Sequence, residues 1–208
     1  MVSAFHFQLL SEILGQFIGV GVIILAIIFQ QELRKFLMII GKGKILKNKG
    51  FLKFKFSTQK DNILNISAIV KACKNMAHTK TGAIIIITQI DDLAVFCESG
   101  VEMNAEISTQ MIESIFYKNS PLHDGAAIIR NNKIVSASSV LPISNSSELP
   151  ERLGMRHRSA VGITEESDAI AIIVSEETGE ISYVLEGELF TKRTTTQLEH
   201  FLNKKFTQ

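Results

Sequence analysis

The chain has 208 residues, 46% of them hydrophobic and 21% charged, with 22 Lys and Arg against 21 Asp and Glu. That composition excludes a disordered or low-complexity protein, and the length suits one domain with a sizeable core plus an appendage. The net charge of +1 hides two regions: residues 1–60 hold nine cations and two acids, net +7, and the remaining 148 residues are net −6.

From Ile13 to Phe29 the chain reads ILGQFIGVGVIILAIIF, uncharged and apolar apart from Gln16. With Leu9 and Leu10 before it and QELRKFLMII after it, this run predicts a helix able to cross ~30 Å of hydrocarbon. A buried core helix is the alternative. A cleaved signal peptide fits less well, because no basic segment precedes the run and no small-residue cleavage site follows it. All nine cations come after the run, so the positive-inside rule puts the N-terminus outside and the C-terminal part in the cytoplasm. The basic collar suits anionic lipid, at roughly 1 kcal/mol per residue near the surface. A nucleic-acid patch is the competing reading and ranks lower, for want of any recognisable nucleic-acid module. The expected division is a transmembrane helix with its extension over 1–40, a basic linker over 41–60, and a domain over 61–208.

In that domain, Ile63, Ile66, Ile69, Val70, Cys73, Met76 and Ala77 recur at helical spacing over residues 62–79, with Asp61 or Asn62 as N-cap. Ala83–Ile87, entered from Gly82, predicts a strand buried on both faces. Leu93–Phe96 predicts a short strand, and Ile107, Met111, Ile112, Ile115 and Phe116 mark a second helix ending near Pro121. Two hairpins are expected next. Ala126–Arg130 and Lys133–Val140 flank Asn131-Asn132, and Ala169–Val174 and Glu180–Leu185 flank a turn containing Thr178-Gly179. Leu149–Val161 has helical spacing between them, and Thr194–Phe206 predicts a last helix. The sum is an α/β (α+β) domain: a mixed central β-sheet flanked by helices and preceded by the transmembrane helix. Cys73 and Cys97, without CxxC spacing, read as reduced structural thiols.

Three polar clusters interrupt this pattern. Leu122–Ala126 offers a carboxylate, Asp124, beside the permissive Gly125, though taken alone the segment reads first as an Asp-Gly turn entering a strand. Arg156-His157-Arg158 offers forked donors that match phosphate, or a solvated charged face; at most one arginine faces any given site. Ser175–Gly179 offers carboxylates for a metal, or a solvated turn. Each is weak alone.

Together, PLHDGAAII, ERLGMRHRSAVGI and DAIAIIVSEETGEIS resemble the diadenylate cyclase (DAC) family in wording and order, from about Ile63 to Leu189. AIIFQQELRKFL is similar to the last transmembrane helix and collar of the membrane-bound CdaA-type branch. The resemblance implies a bacterial membrane enzyme, its catalytic domain in the cytoplasm, that condenses two ATP into cyclic di-AMP and two pyrophosphates between two facing subunits. It implies Asp124 beside the attacking 3′-hydroxyl, with Gly125 and Ala126 adjoining the nucleotide. Arg156 and His157, with their neighbours Met155 and Arg158, belong to the phosphate region, and Ser175 also binds phosphate. The Leu141 backbone holds adenine, and His123 and Glu177 contribute to a Mn²⁺ or Mg²⁺ environment, with Glu176 as the alternative carboxylate. Membrane lipid, a regulatory membrane protein and phosphoglucosamine mutase are the implied partners, and nucleic acid is not. Two departures stand out. Met155 replaces a residue commonly threonine, and one membrane helix is visible where the branch usually has three, so an incomplete N-terminus is expected. A non-catalytic ATP or cyclic-dinucleotide sensor is the alternative function; a metal phosphohydrolase would need more clustered ligands than five scattered histidines supply.

Overall fold

A computed structural model describes residues 20–25, 27–30, 33, 64–146, 149–150 and 153–206. The chain divides into two units, Met1–Thr58 and Gln59–Gln208. In the first, the described residues are mostly helical, with Val20, Ile23, Ile24, Ile27 and Ile28 exposed. Among the described residues no helix is long and apolar enough to cross a membrane. Most of the span expected over 1–40, and all of the linker over 41–60, lies outside the described residues.

The second unit is built on the isoleucine run. Ala83–Ile87 (β1) is buried at every position and forms a middle strand of the sheet. Its neighbours are β3 (Ala126–Arg130), which runs parallel to it, and β5 (Ile170–Val174), which runs antiparallel. With β2 (Val101–Glu106), β4 (Lys133–Ser139), β6 (Ile181–Leu185) and β7 (Glu188–Arg193), the seven-stranded order is β2-β4-β3-β1-β5-β6-β7. All remaining pairings are antiparallel, so the sheet is mixed.

Period-two alternation sends Ile85 and Ile87 to one face and Ile84 and Ile86 to the other. The first pair joins a core with α1 (Ile66–Thr79), α3 (Thr109–Phe116) and α5 (Thr195–Phe206), through Ile69, Cys73, Ile112, Phe116, Leu198 and Leu202. The second pair packs on α4 (Met155–Glu166), through Ala160, Val161 and Ile163. Each fully buried isoleucine contributes roughly 1.5–3 kcal/mol relative to exposure. Burial also pushes the Cys73 thiol up to about 12, so at neutral pH it is an apolar filler.

The first helix starts later than its periodicity predicts. The side chain of Asn65, not Asp61 or Asn62, caps α1 by accepting from the Ala68 N–H at 3.2 Å. Leu93–Phe96 is not a strand but opens the short helix α2 (Ala94–Glu98). Its local chemistry overrides the apolar pattern: the Asp91 carboxylate accepts from the Leu93 N–H, and the Asp92 carboxylate from the Ala94 N–H, both at 3.1 Å. The Asn131-Asn132 turn has φ of 51° and 58°, as a tight hairpin requires. The edge strand β2, whose VEMNAE alternates apolar and polar residues, and the edge strand β7, whose ELFTKR does not, both lie outside the elements expected from the sequence.

Candidate active site

A cavity of about 950 Å³ opens along one side of the sheet, and pieces from widely separated parts of the chain form its wall. Asp124, Gly125 and Ala126 enter from the start of β3, Leu141 from the segment after β4, Met155, Arg156 and His157 from the first turn of α4, and Ser175 and Glu177 from the β5–β6 turn. Two expected residues are not on that wall. The Arg158 carbonyl accepts from the Ser144 N–H at 3.1 Å, and His123 precedes Asp124 with its Nδ1 donating to the Ser120 carbonyl at 2.6 Å.

Asp124 is aimed by a backbone irregularity. Gly125 has φ of +119°, and a Cβ there would come within 2.6 Å of the Ser138 carbonyl carbon. Ser138 itself has φ of +55°, its hydroxyl donates to the Asp124 carbonyl, and the β3–β4 ladder shifts register between Ala126 and Ile128. A bulge of this kind turns a strand end and re-aims the side chain beside it.

Helix α4 presents its N-terminus to the cavity. Gly154 caps it without a side-chain hydrogen bond, so the first turn of α4, with the positive end of the helix dipole, faces the cavity, an arrangement that suits an anion. Burial lowers the His157 pKa, against an opposing upward pull from Glu180 and Glu177, so at neutral pH the ring leans to the uncharged form. Behind the helix, the segment holding Leu141 is pinned. The Ser144 hydroxyl donates to Glu165 Oε1 at 3.0 Å, and a Cβ on Gly162 would overlap the Pro142 carbonyl.

The Ser175 hydroxyl oxygen accepts from the Glu177 and Thr178 N–H groups at 3.3 and 3.2 Å. Its own proton therefore remains free to donate into the cavity. Beside it, Arg156 Nη1 and Glu176 Oε2 are paired at 2.8 Å, and Lys192 Nζ lies 3.6 Å from Glu180 Oε1. Four carboxylates (Asp124, Glu176, Glu177, Glu180) thus share the wall with two permanent cations, Arg156 and Lys192. Such a wall repels a polyphosphate unless a divalent cation accompanies it.

Among the described residues no group of three or more His, Cys, Asp or Glu side chains forms a metal cage. The donors fit a hard cation that keeps most of its shell from water and substrate oxygens, the usual habit of Mg²⁺ with nucleotides. The Nδ1–H of His123 is committed to the Ser120 carbonyl, which leaves Nε2 as the ring nitrogen without that hydrogen bond.

Sequence reasoning passed over several cavity residues. Ser99, whose hydroxyl accepts from the Val140 N–H at 3.0 Å, comes from the unexpected α2 corner, and Thr191 and Lys192 come from β7. The Glu186-Gly187 turn, at φ of 54° and 80°, was the one local signal for β7.

Comparison with known proteins bears on this site. The family model described as DAC, the DisA bacterial checkpoint controller nucleotide-binding domain, matches residues 70–189. A diadenylate cyclase of Listeria monocytogenes is 40% identical over 201 residues, covering 97% of this chain and 72% of the relative. The cyclic di-AMP synthase CdaA of Bacillus subtilis is 39% identical over 197 residues, 95% of this chain and 70% of the relative. Among solved structures, a double mutant of DacA from Staphylococcus aureus has a TM-score of 0.67 at 40% identity, covering 69% of this chain and 95% of that one. A hypothetical membrane spanning protein from Bacillus cereus has a TM-score of 0.60 at 42% identity, covering 62% and 63%.

Proposed function

The chain belongs to the DAC family, and from that premise we propose that it is a diadenylate cyclase, joining two ATP molecules into cyclic di-AMP with release of two pyrophosphates. The observation that carries this reading is the meeting of Asp124, Arg156, His157 and Ser175, distant in sequence, around one cavity of about 950 Å³. In each half-reaction the 3′-oxygen of one nucleotide bonds to the α-phosphorus of the other. The bond from that phosphorus to the bridging oxygen breaks, and the 3′-hydroxyl proton is lost. Asp124 orients that hydroxyl and accepts its proton. Arg156, the N–H groups opening α4 and the Ser175 hydroxyl stabilise charge on the phosphate oxygens, where phosphoryl transfer most needs help. His157, leaning neutral, donates a hydrogen bond without drawing the nucleotide into a tight ion pair. Gly125 and Ala126 adjoin the sugar by their backbone, the Leu141 backbone reads the base, and Arg158 and Met155 border the phosphate region. His123 and Glu177 are the residues that would hold Mn²⁺ or Mg²⁺, which when bound would supply neutralising charge near the transferring phosphate.

Each subunit binds one ATP, so two copies must face each other. Residues 61–208 form the catalytic part, residues 1–40 the membrane anchor and residues 41–60 the linker between them, with the domain on the cytoplasmic side. The name of the Bacillus cereus relative as membrane spanning supports the anchor, and the +7 balance of residues 1–60 suits an anionic lipid surface. A regulatory membrane protein and phosphoglucosamine mutase are the partners to look for.

Incubating the purified full chain in detergent with ATP and Mn²⁺ or Mg²⁺ tests the activity, with products read by mass. Cyclic di-AMP and pyrophosphate are expected. ATP binding with no dinucleotide under either metal would replace the cyclase by a sensor. Two further results are expected. Specific activity falls on dilution, as subunits separate; activity proportional to enzyme down to a monomer seen by light scattering would contradict the facing pair. Met155→Thr adds a hydroxyl at the first turn of α4 and lowers KM for ATP about two- to tenfold, the worth of one net hydrogen bond. An unchanged or raised KM would show that the hydroxyl does not reach phosphate.

A further inference from the structure

We propose that Glu176 and Gly82 are positioning residues for Arg156, fixing the plane of its guanidinium so that the remaining edge meets phosphate. This rests on the cyclase reading and goes beyond it, since neither residue is assigned contact with the nucleotide. Arg156 Nη1 donates to Glu176 Oε2 at 2.8 Å, across the gap between the start of α4 and the β5–β6 turn. The pair lies on bare backbone at the entrance to β1. A Cβ on Gly82 would stand 2.6 Å from Arg156 Nη1, 2.9 Å from Glu176 Oε2 and 3.1 Å from Arg156 Cζ. Three segments therefore converge on one guanidinium: the backbone below it, the carboxylate beside it and the helix that carries it.

The carboxylate is itself on a fixed support. The Ser175 hydroxyl oxygen takes two N–H groups of the turn, and the Gly179 N–H donates to the Ser175 carbonyl at 3.0 Å. The arginine and glutamate side chains remain 25% and 58% exposed, so the pair adds little to fold stability. Its value is geometric. Guanidinium carries five N–H donors in a rigid fork; with Nη1 engaged by Glu176, the edge formed by Nε and Nη2 is left to meet two phosphate oxygens. Gly82 is needed because the pair occupies the space a side chain would fill. The atoms it would displace are the free ends of two flexible side chains, so Gly82→Ala folds but pushes the guanidinium aside.

The test is a double-mutant cycle with Arg156→Ala, read both as kcat/KM and as calorimetric affinity for an ATP analogue that cannot release pyrophosphate. Glu176→Ala and Gly82→Ala are each expected to lower kcat/KM about tenfold, with a parallel loss of analogue affinity and no change in melting temperature. In the Arg156→Ala background both should cost less than about twofold more, because the group they position is gone. Effects that multiply with Arg156→Ala, or analogue affinity like wild type in both variants, would overturn the proposal. A wild-type chain that binds the analogue yet makes no cyclic di-AMP would instead overturn the cyclase reading, while the affinity cycle would still decide the positioning role.

Discussion

Asp124→Asn is expected to reduce cyclic di-AMP formation by about 10²–10⁴-fold while leaving ATP binding within about threefold of wild type. The asparagine side chain keeps the shape of the carboxylate but cannot take the 3′-hydroxyl proton. The fold does not lean on the carboxylate here: it is the Asp124 backbone carbonyl that accepts from Ser138. Product mass and nucleotide affinity measured on the same preparation separate the two effects. Asp124→Asn turnover within tenfold of wild type would mean that the proton leaves by another route.

Gly125→Ala has the largest expected effect on stability. The native φ of +119° is available to glycine and strained for alanine, and the new methyl would meet the Ser138 main chain at 2.6 Å. Unlike the ion pair above Gly82, a main chain cannot swing away. Backbone strain and overlap together should cost about 3 kcal/mol, which for a domain of this size lowers Tm by about 6–12 °C in scanning calorimetry. Activity should fall as well, because the bulge that aims Asp124 would be reshaped. A Tm within about 2 °C of wild type would mean that the turn relaxes to another conformation at little cost.

The elements that could be read from the chain are those in which pattern and burial agree. Ala83–Ile87, the Ala126–Ser139 hairpin and the helices through Ile69 and Ile112 all bury the faces their periodicity marks. Where a polar side chain sets the local conformation, periodicity misleads. Leu93–Phe96 has the composition of a strand, but two aspartates cap its N–H groups and wind it into a helix. Edge strand β7 escapes because its ELFTKR has no apolar alternation, whereas β2 does alternate Val101, Met103 and Ala105 with Glu102, Asn104 and Glu106, but with no fully buried position to make it stand out.

The same division holds at the cavity. Motif wording brought Asp124, Arg156, His157 and Ser175 forward, because short runs hold them beside glycines. The partner of Arg156 lies 20 positions away in sequence on another element. Spacing alone could not separate Glu176 from Glu177, and only the folded turn shows which carboxylate meets the guanidinium.

The central place of β1 also governs when the cavity can exist. Ile85–Ile87 pair with Ala127–Ile129 on one side, and Ala83–Ile87 with Ile170–Val174 on the other. The cavity walls therefore meet only once segments some ninety positions apart have paired, the kind of long-range pairing that forms slowly. Amide-exchange protection of the cavity backbone should accordingly vanish together with that of the sheet's innermost strands, as one cooperative unit.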